Sequence, residues 1–117
     1  MAAAWFNALA DPAKARAESA GTRPADAVHP LVIAVMREAG IDLSGQQPQR
    51  LTAELAARSQ RLITMGCGEE CPVVPGVARE DWPLDDPADL PIARVRAIRD
   101  EIHARVEDLL LRYQLRR

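Results

Sequence analysis

The most constraining feature of the sequence is a long amphipathic helix predicted to begin after Pro91. Apolar side chains recur there at intervals of three and four residues, at Ile92, Val95, Ile98, Ile102, Val106 and Leu109 or Leu110. That spacing places them on one face of an α-helix. Such a helix is stable only when its apolar face packs against other elements. The chain is therefore predicted to fold in layers around this helix.

Shorter segments upstream alternate between helical and strand-like patterns. Helices are predicted over Met1–Ala10, from His29 to Gly40 and over residues 49–59, and strands over Ala15–Ser19, Arg61–Met65 and, as a small edge strand, Asp81–Leu84. This alternation is typical of an α/β fold with a parallel sheet. We therefore predict one domain over residues 1–117, a three-layer α/β/α architecture with a small parallel sheet. So few strands are unusual for a buried parallel sheet, which indicates that a strand is missing from the pattern.

Composition and charge exclude several classes of protein. Of the 117 residues, 48% are hydrophobic, which is too many for a disordered chain. The net charge is −2 and no basic stripe is present, so nucleic acid is not an expected partner. No apolar run reaches the roughly 20 residues that span a membrane. Asn7 and Asp11 interrupt any signal-peptide core, so we expect a cytoplasmic protein without a membrane partner.

Both cysteines of the chain, Cys67 and Cys71, lie in the segment ITMGCGEECPVVPG, directly after a predicted strand. Three roles fit this spacing. The thiols would bind a metal, although zinc needs about four ligands, or pack as small apolar groups, or undergo thiol–disulfide exchange. The surrounding glycines and glutamates favour an accessible loop. Loops at strand ends are also where open α/β sheets bind their ligands.

The run DWPLDDPAD contains a further candidate, Asp86, which directly precedes Pro87. A residue before proline has a restricted, extended backbone, which suits a general acid held towards a pocket. Acidic segments with proline are also common in solvated turns. These residues alone leave both roles open.

Several motifs together resemble a known family. SAGTRP at residues 19–24, VHP at 28–30 and MREAGIDLS at 36–44 resemble the low-molecular-weight tyrosine phosphatases. The cysteine segment, Asp81-Trp82, LDDPA at 84–88 and RAIRDEI at 96–102 resemble the arsenate reductase branch of that superfamily. The similarity extends over essentially the whole chain. It implies a parallel sheet flanked by helices and an enzyme that reduces arsenate with cysteine thiols, in arsenic detoxification.

The resemblance also implies roles for individual residues. In the family, a cysteine on a C-x-x-x-x-x-R phosphate-binding loop attacks the oxyanion, and an aspartate matched by Asp86 protonates the leaving oxygen. A second cysteine, matched by Cys67, attacks the arseno-thiol adduct. Cys71 is the candidate to close a disulfide with it. No resident cofactor is implied, because thioredoxin, a glutaredoxin-like protein or a low-molecular-weight thiol reduces the disulfide. The short spacing between the cysteines leaves the choice of reductant open.

The 117 residues contain no C-x-x-x-x-x-R motif. In the family, the first strand and the phosphate-binding loop run directly into a sequence that resembles the opening MAAAWFNALA. We therefore expect a functional form that is longer upstream, an inactive fragment or pseudo-enzyme, or a module with a new binding role. A chain without its central strand is expected to be marginally stable or to pair its exposed strand edges with a second copy.

A tyrosine phosphatase is the alternative enzyme. Such phosphatases commonly place an aromatic residue after the aspartate-proline pair, where this chain has Ala88. They also have no need of Cys67 and Cys71. Both features favour the reductase.

Overall fold

The computed structural model describes residues 1–20, 29–43, 45, 49–65, 75–84 and 90–117. Within these ranges the elements are α1 (Ala2–Leu9), α2 (Pro30–Glu38), α3 (Ala53–Ala57), β1 (Arg61–Thr64), β2 (Ala78–Asp81) and α4 (Ile92–Arg112). All four predicted helices are confirmed. The α/β class is confirmed as well.

The two strands pair in parallel, with Arg61 opposite Ala78 and Thr64 opposite Asp81. Parallel neighbours need a crossover connection, because the chain must return to the other end of the sheet. Residues 65–77, which include the cysteine segment, form that connection. The second strand was predicted at Asp81–Leu84 and lies three residues earlier, at Ala78–Asp81. The prediction included the apolar Trp82 in the strand, whereas Trp82 follows the strand and packs into the core.

The core is built on α4, against which α1 and α2 both pack. Its largest fully buried side chains are Val35, Met36, Val95, Val106 and Leu110. Val95, Ile98, Ile102 and Val106 were predicted to form the inner face of the long helix, and all four are buried. Ile92 is exposed, because it is the first residue of α4 and the buried positions begin one turn later.

Helix ends in the fold follow the sequence signals closely. The backbone N–H of Leu31 donates to Nδ1 of His29 at 3.1 Å, so His29 caps α2. At the other end, Gly40 has a φ of 84°. The N–H of Ile41 bonds the carbonyl of Met36 at 3.0 Å, which completes a Schellman motif. In contrast, α1 has no side-chain cap.

The strand predicted at Ala15–Ser19 does not form. These residues are not part of a strand, and the side-chain amide of Asn7 hydrogen-bonds the backbone N–H and carbonyl of Ala17. Asn7 Nδ2 donates to the Ala17 carbonyl at 2.9 Å, and the Ala17 N–H donates to Asn7 Oδ1 at 2.8 Å. A carboxamide has the same donor and acceptor as a peptide group. Asn7 therefore takes the place that a neighbouring strand would have for this residue.

Arg99 is mostly buried, although a charged side chain on a helix is usually solvated. Its side chain is only 15% exposed. It donates to the carbonyl of Val35 at 2.8 Å and to Glu38 at 3.0 Å, which ties α4 to α2. Arg96 donates to the same carboxylate through two nitrogens at 2.7 and 3.0 Å. These bonds lower the pKa of the Glu38 carboxyl below its ordinary value, and the bond from Arg96 has the largest effect.

None of the helices in the described part of the chain is both long and apolar enough to cross a membrane.

Candidate functional site

The candidate site lies at the carboxyl end of the two-stranded sheet. Thr64 and Asp81 are the last residues of their strands and are partners in the register. The Thr64 hydroxyl donates to Asp81 Oδ1 at 2.6 Å. The backbone N–H of Trp82 donates to the Thr64 carbonyl at 2.7 Å. Both strands therefore end together, joined by one side-chain and one backbone hydrogen bond.

The three residues predicted to carry the chemistry, Cys67, Cys71 and Asp86, lie outside the described residues. Cys67 is three positions after Thr64, and Asp86 is five positions after Asp81. The carboxyl ends of adjacent parallel strands share one edge of a sheet, which is the usual location of ligands in open α/β folds. The strands that precede the cysteine segment and the DDPA segment in the sequence, β1 and β2, both end at this edge.

Trp82 directly follows β2 at this edge and is buried in the core cluster. Its ring nitrogen donates to Oε2 of Glu80. Glu80 also receives two bonds from the guanidinium of Arg112 at 2.9 and 3.0 Å. These bonds lower the pKa of the Glu80 carboxyl to about 2, and the bond from Arg112 has the largest effect. The carboxylate in turn raises the pKa of Arg112. The cluster fixes β2 to the last turn of α4.

A shallow surface cleft of about 270 Å³ lies beside Trp82, between β2 and α4. Its two cations are both paired. Arg112 bonds Glu80, and Arg105 lies 3.4 Å from Glu101. Because each cation lies beside a carboxylate, this cleft is poorly suited to bind an oxyanion such as arsenate.

A stacked pair joins α1 to α4. The rings of Trp5 and His103 are 3.9 Å apart and inclined by only 5°. His103 Nε2 lies 3.0 Å from Glu107, one turn along the same helix. The indole N–H of Trp5 is buried and has no hydrogen-bond partner among the described residues. The stacking of Trp5 on His103 was not predicted from the sequence. The i, i+4 spacing of His103 and Glu107 on one helix was visible there, but it does not indicate Trp5 as a partner.

Two other residues singled out in the sequence have structural roles here. The Ser19 carbonyl accepts from Gln49 Nε2 at 2.8 Å, which ties the segment after α1 to the chain before α3. His29 caps a helix. Over the described ranges, no group of three or more histidines, cysteines, aspartates or glutamates is placed to hold a metal ion.

Thr64 and Asp81 were not predicted as a functional pair. The one signal in the sequence was a hydroxyl at the end of the otherwise apolar stretch Leu62-Ile63-Thr64. Such a hydroxyl needs a partner when it is buried. The identity of that partner depends on the strand register, which the sequence does not specify when strands are only four residues long.

Comparisons with known proteins agree with the geometry. The family model described as low molecular weight phosphotyrosine protein phosphatase matches residues 1–117. A putative arsenate reductase of Halobacterium salinarum is 42% identical over 89 residues, which are 76% of this chain and 63% of the relative. The glutaredoxin arsenate reductase of Synechocystis is 37% identical over 86 residues, 71% of this chain and 66% of that protein.

Solved structures give the same result. An arsenate reductase in its oxidized state superposes with a TM-score of 0.81 at 33% identity, over 95% of this chain and 86% of the other. A thioredoxin-dependent arsenate reductase of Corynebacterium glutamicum gives a TM-score of 0.75 at 32% identity. That match covers 97% of this chain and 54% of the other. The chain thus spans 63% and 54% of the Halobacterium and Corynebacterium proteins.

The resemblance seen in the sequence is confirmed by a family match over all 117 residues and by superposition at about one-third identity. The chain belongs to the low molecular weight phosphotyrosine protein phosphatase family.

Proposed function

We propose that this chain takes part in the reduction of arsenate to arsenite and supplies the two thiols that complete the reaction. The observation that carries the proposal is the parallel register at Thr64 and Asp81. It brings together the ends of the two strands that precede Cys67 and Asp86 in the sequence, which supports the proposal. The arsenate reductases among the relatives and the solved structures support the choice of substrate.

The chemistry balances with two thiols. Arsenic(V) gains two electrons and becomes arsenic(III), and one oxygen leaves as water. The sulfurs of two cysteines lose the two electrons and join as a disulfide. In the proposed sequence of steps, the loop cysteine of the longer form attacks arsenate and Asp86 protonates the oxygen that leaves as water. Cys67 then attacks the sulfur of this arseno-thiol adduct, the sulfur–arsenic bond breaks and arsenite leaves. Cys71 attacks the resulting mixed disulfide and releases the loop cysteine as a thiolate. A disulfide between Cys67 and Cys71 is the product left on this chain.

An external dithiol must reduce this disulfide before another turnover. We propose thioredoxin or a glutaredoxin-like protein as the reductant. One relative is a glutaredoxin arsenate reductase and one solved neighbour is thioredoxin-dependent, which supports both choices. A reducing compartment such as the cytoplasm would keep Cys67 and Cys71 as thiols between turnovers.

The initial nucleophile requires a C-x-x-x-x-x-R loop, which the 117 residues do not contain. The test is an arsenate-reduction assay on the chain as given and on a chain extended upstream by a strand and such a loop. Cys67→Ser is made in each form. We expect turnover only in the extended form and its loss on substitution. Turnover by the 117-residue chain would contradict the assigned roles.

A tyrosine phosphatase is the second candidate, because the matching family is described by that activity. Phosphate ester hydrolysis would need the same loop and Asp86 but neither of the two cysteines. The extended chain should therefore be assayed with p-nitrophenyl phosphate as well. Hydrolysis that survives Cys67→Ser and Cys71→Ser, without any arsenate reduction, would favour the phosphatase.

Self-association is a third expectation. Within the described residues, β1 pairs only with β2, and its other edge carries no strand. Such an edge offers backbone donors and acceptors to a second copy, so we propose a homodimer of the 117-residue chain formed through β1. Analytical ultracentrifugation tests this, and a monomer at all concentrations would contradict it.

A further inference from the structure

The chain reverses its direction directly after α4. The N–H of Leu115 donates to the carbonyl of Leu110 at 2.9 Å. The N–H of Gln114 donates to the carbonyl of Leu111 at 3.4 Å. This pair of bonds forms a Schellman motif, which usually has a glycine in the left-handed conformation where this chain has Gln114. Gln114 has a φ of 54° and is the one residue other than glycine with a positive φ in the described ranges. Its backbone is therefore strained, because a Cβ in this conformation crowds the following carbonyl oxygen.

After this turn the chain lies antiparallel to the end of α1. An antiparallel bridge joins Ala10 to Arg116. The backbone N–H of Asp11 donates to the Leu115 carbonyl at 2.8 Å. Residues 114–117, which we call the strap, are thus attached to the end of α1 through backbone bonds like those between antiparallel strands.

Arg117 provides a second attachment of the strap to α1. Its Nε donates to the Ala10 carbonyl at 3.0 Å and its Nη2 to the Asn7 carbonyl at 3.4 Å. Its backbone N–H donates to the Leu9 carbonyl at 3.2 Å. The last carbonyls of a helix have no partner within the helix, and a cation is favoured beside them. Since α1 has no basic residue in its own last turn, Arg117 supplies this cap.

The strap is held mainly by polar bonds near water. Arg116 and Arg117 are exposed, and Leu115 is the one half-buried residue of the strap. A segment with so little apolar burial opens at a lower free energy than the core around α4. Opening also allows the strained backbone at Gln114 to relax. The strap can therefore leave α1 without unfolding the helices.

We propose that residues 114–117 form a conformational device, a strap that opens and closes as one unit over the end of α1 while α1 stays packed against α4. In the closed form the strap caps α1 and covers the backbone of residues 9–11. In the open form this backbone is exposed. The strain at Gln114 favours the open form and the bonds of Arg117 favour the closed form, so these two residues set the balance.

Native-state hydrogen exchange, measured by NMR on the 117-residue chain, distinguishes opening of the strap from unfolding of α1. The Asp11 amide bonds the strap, whereas the neighbouring Ala10 amide bonds the carbonyl of Phe6 within α1 at 2.8 Å. We expect the Asp11 amide to exchange faster, at a rate that depends little on urea, because opening of the strap exposes little surface. Exchange of the Ala10 amide should be slower and should accelerate with urea.

Substitutions at Gln114 test the role of the strain. Gln114→Gly removes the strain and should raise the protection of the Asp11 amide about fivefold. Gln114→Ala keeps a Cβ and should leave this protection within about twofold of the unsubstituted chain. The two variants therefore separate the left-handed conformation from the loss of the glutamine side chain.

Substitutions at the two arginines test the cap. Arg117→Met keeps an unbranched side chain of similar length without donors, and should lower the protection of the Asp11 amide about threefold or more. Arg116→Met is the matched control, because the Arg116 side chain pairs with Glu107 of α4 at 3.4 Å rather than with α1. It should change the protection by less than about twofold, as for an exposed ion pair.

Three outcomes would overturn the proposal. Equal protection and equal urea dependence of the Asp11 and Ala10 amides would show that the strap opens only together with α1. Equal responses to Gln114→Gly and Gln114→Ala would exclude the strain at Gln114 as a determinant of the balance. Equal responses to Arg117→Met and Arg116→Met would exclude the cap. If Arg117→Met does not fold, as judged by circular dichroism, the variants at the exposed Gln114 decide.

Discussion

The helical side of the molecule and its small sheet differ in what holds each together. Around α4, the contacts are apolar and the central side chains, such as Val35 and Leu110, are fully buried. In the sheet, each strand has only four residues, and its fixed points are polar: Thr64 with Asp81, and Glu80 with Arg112. Apolar contacts tolerate small shifts, whereas hydrogen bonds require defined geometry. The helices therefore supply most of the folding free energy, and the polar bonds set the positions of the strand ends.

The first prediction concerns the helical side and has the largest expected effect. Leu110→Ala removes a fully buried side chain from α4 and leaves a cavity, so it should lower the free energy of unfolding by about 2–5 kcal/mol. Leu111→Ala, at the next position of the same helix, changes a side chain that is 67% exposed. It should stay within about 0.5 kcal/mol of the unsubstituted chain. Urea denaturation followed by circular dichroism measures both.

Equal effects of the two leucine substitutions would contradict the assignment of the core to this face of α4. They would also remove the contrast with the sheet, because folding would then depend little on apolar burial around this helix.

The second prediction concerns Asn7, which uses a polar side chain on the helical side in place of a strand. Asn7→Ala breaks both bonds to Ala17 and should cost about 1–2 kcal/mol, at typical values for a hydrogen bond. Asn7→Asp is the matched control, since a carboxylate still accepts from the Ala17 N–H but cannot donate to its carbonyl. It should give an intermediate loss. Hydrogen exchange at the Ala17 amide gives a local measurement, and protection that survives Asn7→Ala would rule out this pairing.

These contrasts explain how much of the fold the sequence predicts. The buried face of α4 follows directly from the spacing of Val95, Ile98, Ile102 and Val106, because helical periodicity is a local property of the chain. The cap at His29 and the turn at Gly40 follow from local signals for the same reason. To predict the parallel pairing of β1 and β2, the alternation of helices and strands along the chain was needed as well.

What could not be predicted depends on which residues meet across the fold. The extended segment at Ala15–Ser19 has a strand-like pattern, but only the fold shows that Asn7 bonds its backbone. Arg99 carries a charge, which favours exposure to water, yet it lies on α4 and donates to the Val35 carbonyl of α2. At the candidate site, the family resemblance identified Cys67, Cys71 and Asp86, and these assignments stay predictions. The bond between Thr64 and Asp81 could not be predicted, because it depends on the register of β1 against β2.

The third prediction tests the polar side through pH. The pKa of Glu80 lies near 2 in the folded chain, against an ordinary value of 4.5, so its bonds favour the ionised form. This contribution is fully present above about pH 4.5 and is lost as the pH falls towards about 2. We expect it to be about 1 kcal/mol, because the carboxylate is partly screened by water. Glu80→Gln should remove this part of the acid dependence of the unfolding free energy.

The comparison for Glu80 is Glu101→Gln, which removes a carboxylate paired with Arg105 at the surface. Its effect on the free energy of unfolding at pH 7 should be much smaller. Equal losses for the two variants would show that the Glu80 cluster is no stronger than an ordinary surface pair.

The smallest effect is expected for that surface pair itself. Glu101 and Arg105 lie one turn apart on α4, 3.4 Å from each other, and both side chains are at least one-third exposed. Pairs with this spacing contribute about 0.3–0.5 kcal/mol, and salt reduces that further. Arg105→Gln should therefore lower the unfolding free energy by less than about 0.5 kcal/mol at low salt and by nothing measurable in 1 M salt. The Glu80→Gln effect should persist at high salt, because Glu80 accepts geometrically fixed bonds from Arg112 and from Trp82. If both effects vanished together, bulk electrostatics rather than hydrogen-bond geometry would hold β2 against α4.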